Sequence, residues 1–109
     1  MTRQTLPSRR QSITLSVWHD NMEYTVGFGI VGRRVVEVFC SPFKTGAGLQ
    51  SLINDACIII SVLLQHGVTI GSLVDTFGQN TQEGQTQGPA ASALGVIALA
   101  GAELEKEMQ

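Results

Sequence analysis

The sequence predicts an α+β fold: a three-stranded antiparallel β-meander followed by three helices packed on one face, a two-layer sandwich. Two observations carry this. Apolar and polar residues alternate over 12–18 and 23–30, the period of half-buried strands, and a valine-rich run follows over 33–40, with only short turns between the three. Beyond residue 44 the apolar period becomes helical, broken by a polar stretch over 78–88.

Each element follows from its residues. Residues 1–11 are polar, contain Pro7 and end in Arg9-Arg10-Gln11, which reads as an extended N-terminal arm ahead of a single domain over 12–109. In the first strand Ile13, Leu15 and Val17 point one way and Ser12, Thr14 and Ser16 the other. His19-Asp20-Asn21 turns the chain. Tyr24, Val26, Phe28 and Ile30 then form the apolar face of the second strand. Gly27 and Gly29 leave its other face bare, so that a group can approach the backbone there. Gly32 closes a second tight turn before the valine-rich third strand. Thr45 is the expected N-cap of a long helix over 45–66, with Leu49, Leu52, Ile53, Ala56, Ile60, Leu63 and Leu64 as its core stripe. That helix is apolar nearly all round between residues 56 and 64, so it is expected at the centre of the fold. Gly67 suits the left-handed cap position, and Thr69 caps a short helix over 70–77. Residues 78–88 hold no hydrophobic side chain and read as an exposed, mobile loop. Pro89 fits the first turn of a last helix that turns Leu94, Ile97, Ala98, Gly101 and Leu104 to one side. Its small residues allow a close helix neighbour.

At 109 residues the chain forms one domain, which buries roughly two-thirds of its unfolded surface. The net charge of −2 is split: residues 1–44 carry +3 and residues 45–109 carry −5. That asymmetry favours head-to-tail contacts or an anion site on the first half. A nucleic-acid binder is usually far more basic, so nucleic acid is not an expected partner. Cys40 and Cys57 are too few for a disulfide framework, and neither they nor His19 and His66 have metal-ligand spacing. No metal and no cofactor are expected. The opening residues contain no apolar signal segment and the longest apolar run falls short of a membrane span, so a cytoplasmic location is expected. The meander leaves one sheet face and two edges uncovered, with Trp18 on the open face; a homodimer would cover them.

Candidate binding residues come from local context. Lys44-Thr45-Gly46-Ala47-Gly48 resembles a phosphate loop, but Lys and Thr precede both glycines, which is not the Walker order. Lys44 and the N–H groups of Gly46 and Ala47 at a helix N-terminus are still suited to an anion, with Arg9 or Arg10 arriving from the arm. Asp55 and Ser61 are polar groups inside the apolar run and are expected to find partners, Asp55 among Arg10, Arg33 and Arg34. Asn54, Ser61 and Gln65 share one side of the helix. His66 ends it, where the helix dipole favours a cation. No nucleophile with an adjacent acid–base group is recognisable, so no catalytic residue is assigned.

Taken in order, the words Arg9-Arg10, Tyr24-Thr25-Val26, Gly32-Arg33, Glu37-Val38-Phe39, Lys44-Thr45-Gly46-Ala47, Asp55-Ala56, Ser61, Leu64-Gln65-His66-Gly67-Val68 and Gly88-Pro89 resemble the TSCPD domain family. That domain occurs at the C-terminal end of cobalamin-dependent (class II) ribonucleotide reductases and as small free-standing proteins. The likeness spans about residues 9–95. It lacks the Thr-Ser-Cys-Pro-Asp element that names the domain; Cys40-Ser41-Pro42 lies before the long helix and is not its equivalent. The chain is also too short for a reductase's ten-stranded barrel. The resemblance therefore implies a non-catalytic accessory or regulatory domain related to deoxyribonucleotide synthesis, with a reductase or other protein, or a nucleotide or phosphate anion, as partner. The alternative is a small ligand-binding dimer or enzyme with a pocket around Lys44, Asp55 and His66.

Overall fold

The computed structural model describes residues 2–41, 47–84 and 88–109. Strands β1 (Gln11–His19), β2 (Met22–Val31) and β3 (Arg34–Cys40) form an antiparallel sheet in the order β1-β2-β3. Helices α1 (Ala47–Gln65), α2 (Ile70–Thr76) and α3 (Ala93–Met108) follow, giving the expected α+β architecture. Both hairpins close on two residues with positive φ, Asp20 and Asn21 in the first, Gly32 and Arg33 in the second. Turns of this kind match the right-handed twist of the strands.

The β2–β3 pairing contains the decision that sets the rest. Counting back from the Gly32-Arg33 turn, Val31 pairs with Arg34 and Ile30 with Val35. Regular pairing from there would set Glu37 opposite Phe28, in the core. Instead the register shifts between Gly29 and Ile30, so that Gly29 pairs with Glu37 and Phe28 with Val38. One extra residue, Val36, reverses the parity of the strand. Val35, Val36 and Val38 are all buried, while Glu37 and Phe39 turn to the open face. There they lie on the two bare glycines: the Phe39 ring covers Gly27 and the Glu37 side chain covers Gly29.

The core fills the space between the inner sheet face (Val17, Tyr24, Val26, Phe28, Ile30) and the helices (Ile60, Leu64, Ile70, Ile97). In α3 the expected face is buried apart from Leu94, which is half-buried, and Gly101 packs directly on Ile70 of α2 and Phe28 of β2. α3 starts later than Pro89 suggested. Ser92 caps it, accepting from the Gly95 N–H, because residues 88–91 are held elsewhere. They pair with the start of the long loop: Asn80 N–H donates to Pro89 O, Ala91 N–H to Gly78 O, and Gly88 N–H to the Gln79 side chain. The base of the segment read as a mobile loop is thus closed by hydrogen bonds.

α1 departs most from expectation. Its buried residues are Ile53, Cys57, Ile60, Ser61, Leu64 and Gln65, whereas Leu49, Leu52, Ile58, Ile59 and Leu63 are exposed. The helix is rotated so that its polar side chains meet β3, and half of its apolar surface faces outward. By length and composition residues 48–65 also pass as a membrane span, with a mean hydropathy of 1.4. Core helices of soluble proteins meet the same criterion but are mostly buried, whereas a third of this stretch is. The helix ends in a Schellman motif: Val68 N–H donates to Leu63 O and Gly67 N–H to Leu64 O, with Gly67 at φ +102°.

Candidate functional site

β3 is an edge strand, and an uncovered edge presents unpaired backbone groups. In this fold side chains cover it. Ser61 Oγ accepts from Val38 N–H at 2.9 Å and lies 3.1 Å from Val38 O, while Gln65 Nε2 donates to Val36 O at 3.1 Å. From α3, Glu105 Oε2 accepts from Val35 N–H at 2.7 Å. The match is geometric. Residues four apart on a helix are separated by about 6 Å along its axis, and residues two apart on a strand by nearly 7 Å. Ser61 and Gln65 can therefore serve Val38 and Val36 together. Asn54 and Cys57, on the same side of α1, continue the seam toward Cys40.

Gln65 also receives the arm. Arg3 Nε donates to Gln65 Oε1 at 2.6 Å, and Gln4 N–H donates to Gln65 O at 2.7 Å. Behind this contact Arg10 grips Glu37 through two nitrogens at 2.8–3.2 Å and donates from Nη1 to Pro7 O. Arm, β3 and α1 together enclose an open cavity of about 360 Å³, lined by Arg3, Thr5, Leu6, Arg10, Glu37 and Gln65. Its electrostatics are lopsided. Glu37 neutralises Arg10, whereas no carboxylate among the described residues pairs with Arg3, whose terminal nitrogens remain available.

Of the expected site residues, the structure brings Arg10 and Gln65 into one cavity and sets Ser61 next to it in the seam. Arg9 is exposed on the arm. Asp55 is also exposed, and no arginine among the described residues reaches it, which corrects the expected ion pair. It points away because the side of α1 that meets β3 is the one carrying residues 57, 61 and 65. His66, half-buried, caps the same helix eleven residues on, about 16 Å along the axis, so Asp55 and His66 cannot serve one reacting atom. Lys44, Gly46 and the expected N-cap Thr45 lie outside the described residues; Ala47 begins α1. Arg3 and Glu37 are not among the expected binding residues. The bare Gly29 was a signal for Glu37, masked by the bulge that sets their register.

Both thiols are held protonated at neutral pH. Burial raises Cys40, and burial followed by the nearby Cys40 pushes Cys57 up to about 11. They line a common cavity with Val38, Phe39, Asn54 and Ile58. Among the described residues no cluster of His, Cys, Asp or Glu suits a metal ion.

Fold and seam define a small α+β domain organised by one helix laid along a sheet edge. The chain belongs to the TSCPD domain family, whose model matches residues 2–102, the arm included. Two similar proteins are Vitamin B12-dependent ribonucleotide reductases. That of Agrobacterium fabrum is 33% identical over 76 residues, and that of Bradyrhizobium diazoefficiens 34% identical over 82. Each match takes in 69% of this chain but 6% of the reductase. The chain therefore corresponds to a small part of those enzymes. No solved structure gives a significant match.

Proposed function

We propose that this chain is a non-catalytic accessory or regulatory domain of ribonucleotide reduction, acting by binding a protein or a nucleotide-like anion. The observation that carries the reading is family membership together with relatives that are reductases many times longer. The anion mode draws its support from Arg3, a cation with no carboxylate partner among the described residues, at the mouth of a cavity of about 360 Å³. The rival reading, a ligand-binding dimer or enzyme centred on Lys44, Asp55 and His66, is weakened by the separation of Asp55 from His66 along α1.

Capture from the native cell with mass spectrometry, paired with measured deoxynucleotide pools on depletion, tests the protein mode. Recovery of a reductase and shifted pools supports it; unrelated partners and unchanged pools sink the link to reduction. Calorimetry with nucleotides and inorganic phosphate tests the anion mode. Arg3→Ala should then weaken binding by about 1–3 kcal/mol, the scale of a charge-assisted contact. Equal affinity of wild type and variant leaves Arg3 as an anchor for the arm alone.

A further inference from the structure

The exposed half of α1 has a pattern of its own. Leu49, Leu52, Ala56, Ile59 and Leu63 follow at intervals of three, four, three and four residues, the a/d spacing of a helix–helix seam. The sheet has already taken the other side through Ile53, Cys57, Ile60, Ser61 and Leu64. Leu52 and Ile59 are 64% and 60% exposed, Leu49 and Leu63 39% and 38%. We infer that this stripe is a self-association face, on which α1 of a second copy packs antiparallel about a two-fold axis near residues 57 and 58.

Three observations single out a second copy. From Leu52 to Leu63 the stripe is complementary to itself when reversed. A two-fold axis midway between residues 56 and 59 sets Leu52 against Leu63 of the second copy, and Ala56 against Ile59, so that the large residue enters the space left by the small one. A parallel pair would stack Ala56 on Ala56 and leave a gap. The neighbouring surface extends the fit. An apolar cavity of about 170 Å³, lined by Ala56, Ile59, Leu63, Leu73, Phe77 and Leu94 among others, adjoins the stripe and offers a receptor for a side chain of the second copy. The area goes half-way by itself: the four large residues alone expose about 400 Å², half of the roughly 800 Å² per partner of a stable interface.

Charge separates this occupant from a bilayer. Helices that lie in membrane interfaces carry Lys and Arg along their flanks. α1 has neither, and its single charge is Asp55. The antiparallel arrangement also opposes the two helix dipoles. The inference does not depend on the reductase link.

Sedimentation or light scattering of the reduced full chain, over about 1–200 µM, tests it. Wild type should reach twice the 11.7 kDa chain mass. Ile59→Glu and Leu52→Glu should each weaken dimerisation at least about tenfold while the circular dichroism spectrum stays native, because both side chains are already solvated in the monomer. Trp18→Ser, on the open sheet face, should leave the dimer intact. A chain that stays monomeric throughout overturns the inference. So does a dimer broken by Trp18→Ser but not by Ile59→Glu, and so does a monomer that floats with phosphatidylcholine–phosphatidylglycerol vesicles.

Discussion

Replacing Ser61 by alanine tests the seam directly. The hydroxyl is the acceptor for Val38 N–H at 2.9 Å, and it lies within hydrogen-bond distance of Val38 O and Cys57 O. Alanine leaves the Val38 N–H buried without a partner, at a cost of about 1–3 kcal/mol. The orphaned carbonyl adds less, since carbonyls tolerate under-satisfaction better than N–H groups. Alanine returns up to about 0.5 kcal/mol through better helix propensity. The net expectation is a loss of about 1.5–2 kcal/mol. Urea unfolding at one protein concentration, with Ser61→Thr as the hydroxyl-retaining control, should show the midpoint falling by about 1–1.5 M at an m-value near 1.3 kcal/mol/M, with that slope unchanged. Hydrogen exchange at Val38 should accelerate in step. A midpoint within about 0.3 M of wild type, with Val38 still protected, would mean that water or backbone closes the edge and that Ser61 does not.

Three further substitutions probe other links. Gly101→Ala should destabilise by about 1–2 kcal/mol despite alanine's helix propensity, because the new Cβ meets Ile70 and comes within 2.8 Å of the Phe28 ring; a thermal midpoint unchanged within error would refute the close packing of α3. Glu37→Gln should cost about 1 kcal/mol at low salt, less in high salt, and should expose the arm to protease earlier; salt-independent loss would point to packing instead. Cys57 has a thiol raised by burial to about 11, so its contribution to stability is complete below pH 9 and is lost as pH rises toward 11, about 2–3 kcal/mol in all. Cys57→Ala should flatten the fall of the urea midpoint between pH 9 and 11, and parallel curves for the two proteins would contradict it.

The fold was legible because its signals are local. Strand alternation, two tight turns and the Gly67 stop are each set within a few residues, and each appears as expected. What was hidden was relational. Nothing within residues 34–40 announces that Val36 is an extra residue; that follows from keeping Glu37 out of the core, which is visible only once β2 is opposite. The rotation of α1 was hidden for the same reason. An all-round apolar helix has no preferred face on hydrophobicity alone, so Leu49, Leu52 and Leu63 looked as suitable for the core as Cys57. Two side chains of modest polarity, Ser61 and Gln65, settle the matter, because their hydrogen bonds to β3 require a particular face.

Gln65 shows why the candidate site was only half readable. Its amide nitrogen holds Val36 O, its amide oxygen receives Arg3, and its backbone carbonyl receives Gln4. One residue thus joins sheet edge, helix end and arm, and it also lines the cavity where an anion is proposed. Changing Gln65 would alter stability and binding together, and neither effect could be assigned. Arg3 is different. It is exposed on the arm and, among the described residues, spends a single nitrogen on the fold, so its loss reports on the cavity with little disturbance of the core. The residue that sequence reasoning overlooked is therefore the one that best separates a ligand site from a structural knot.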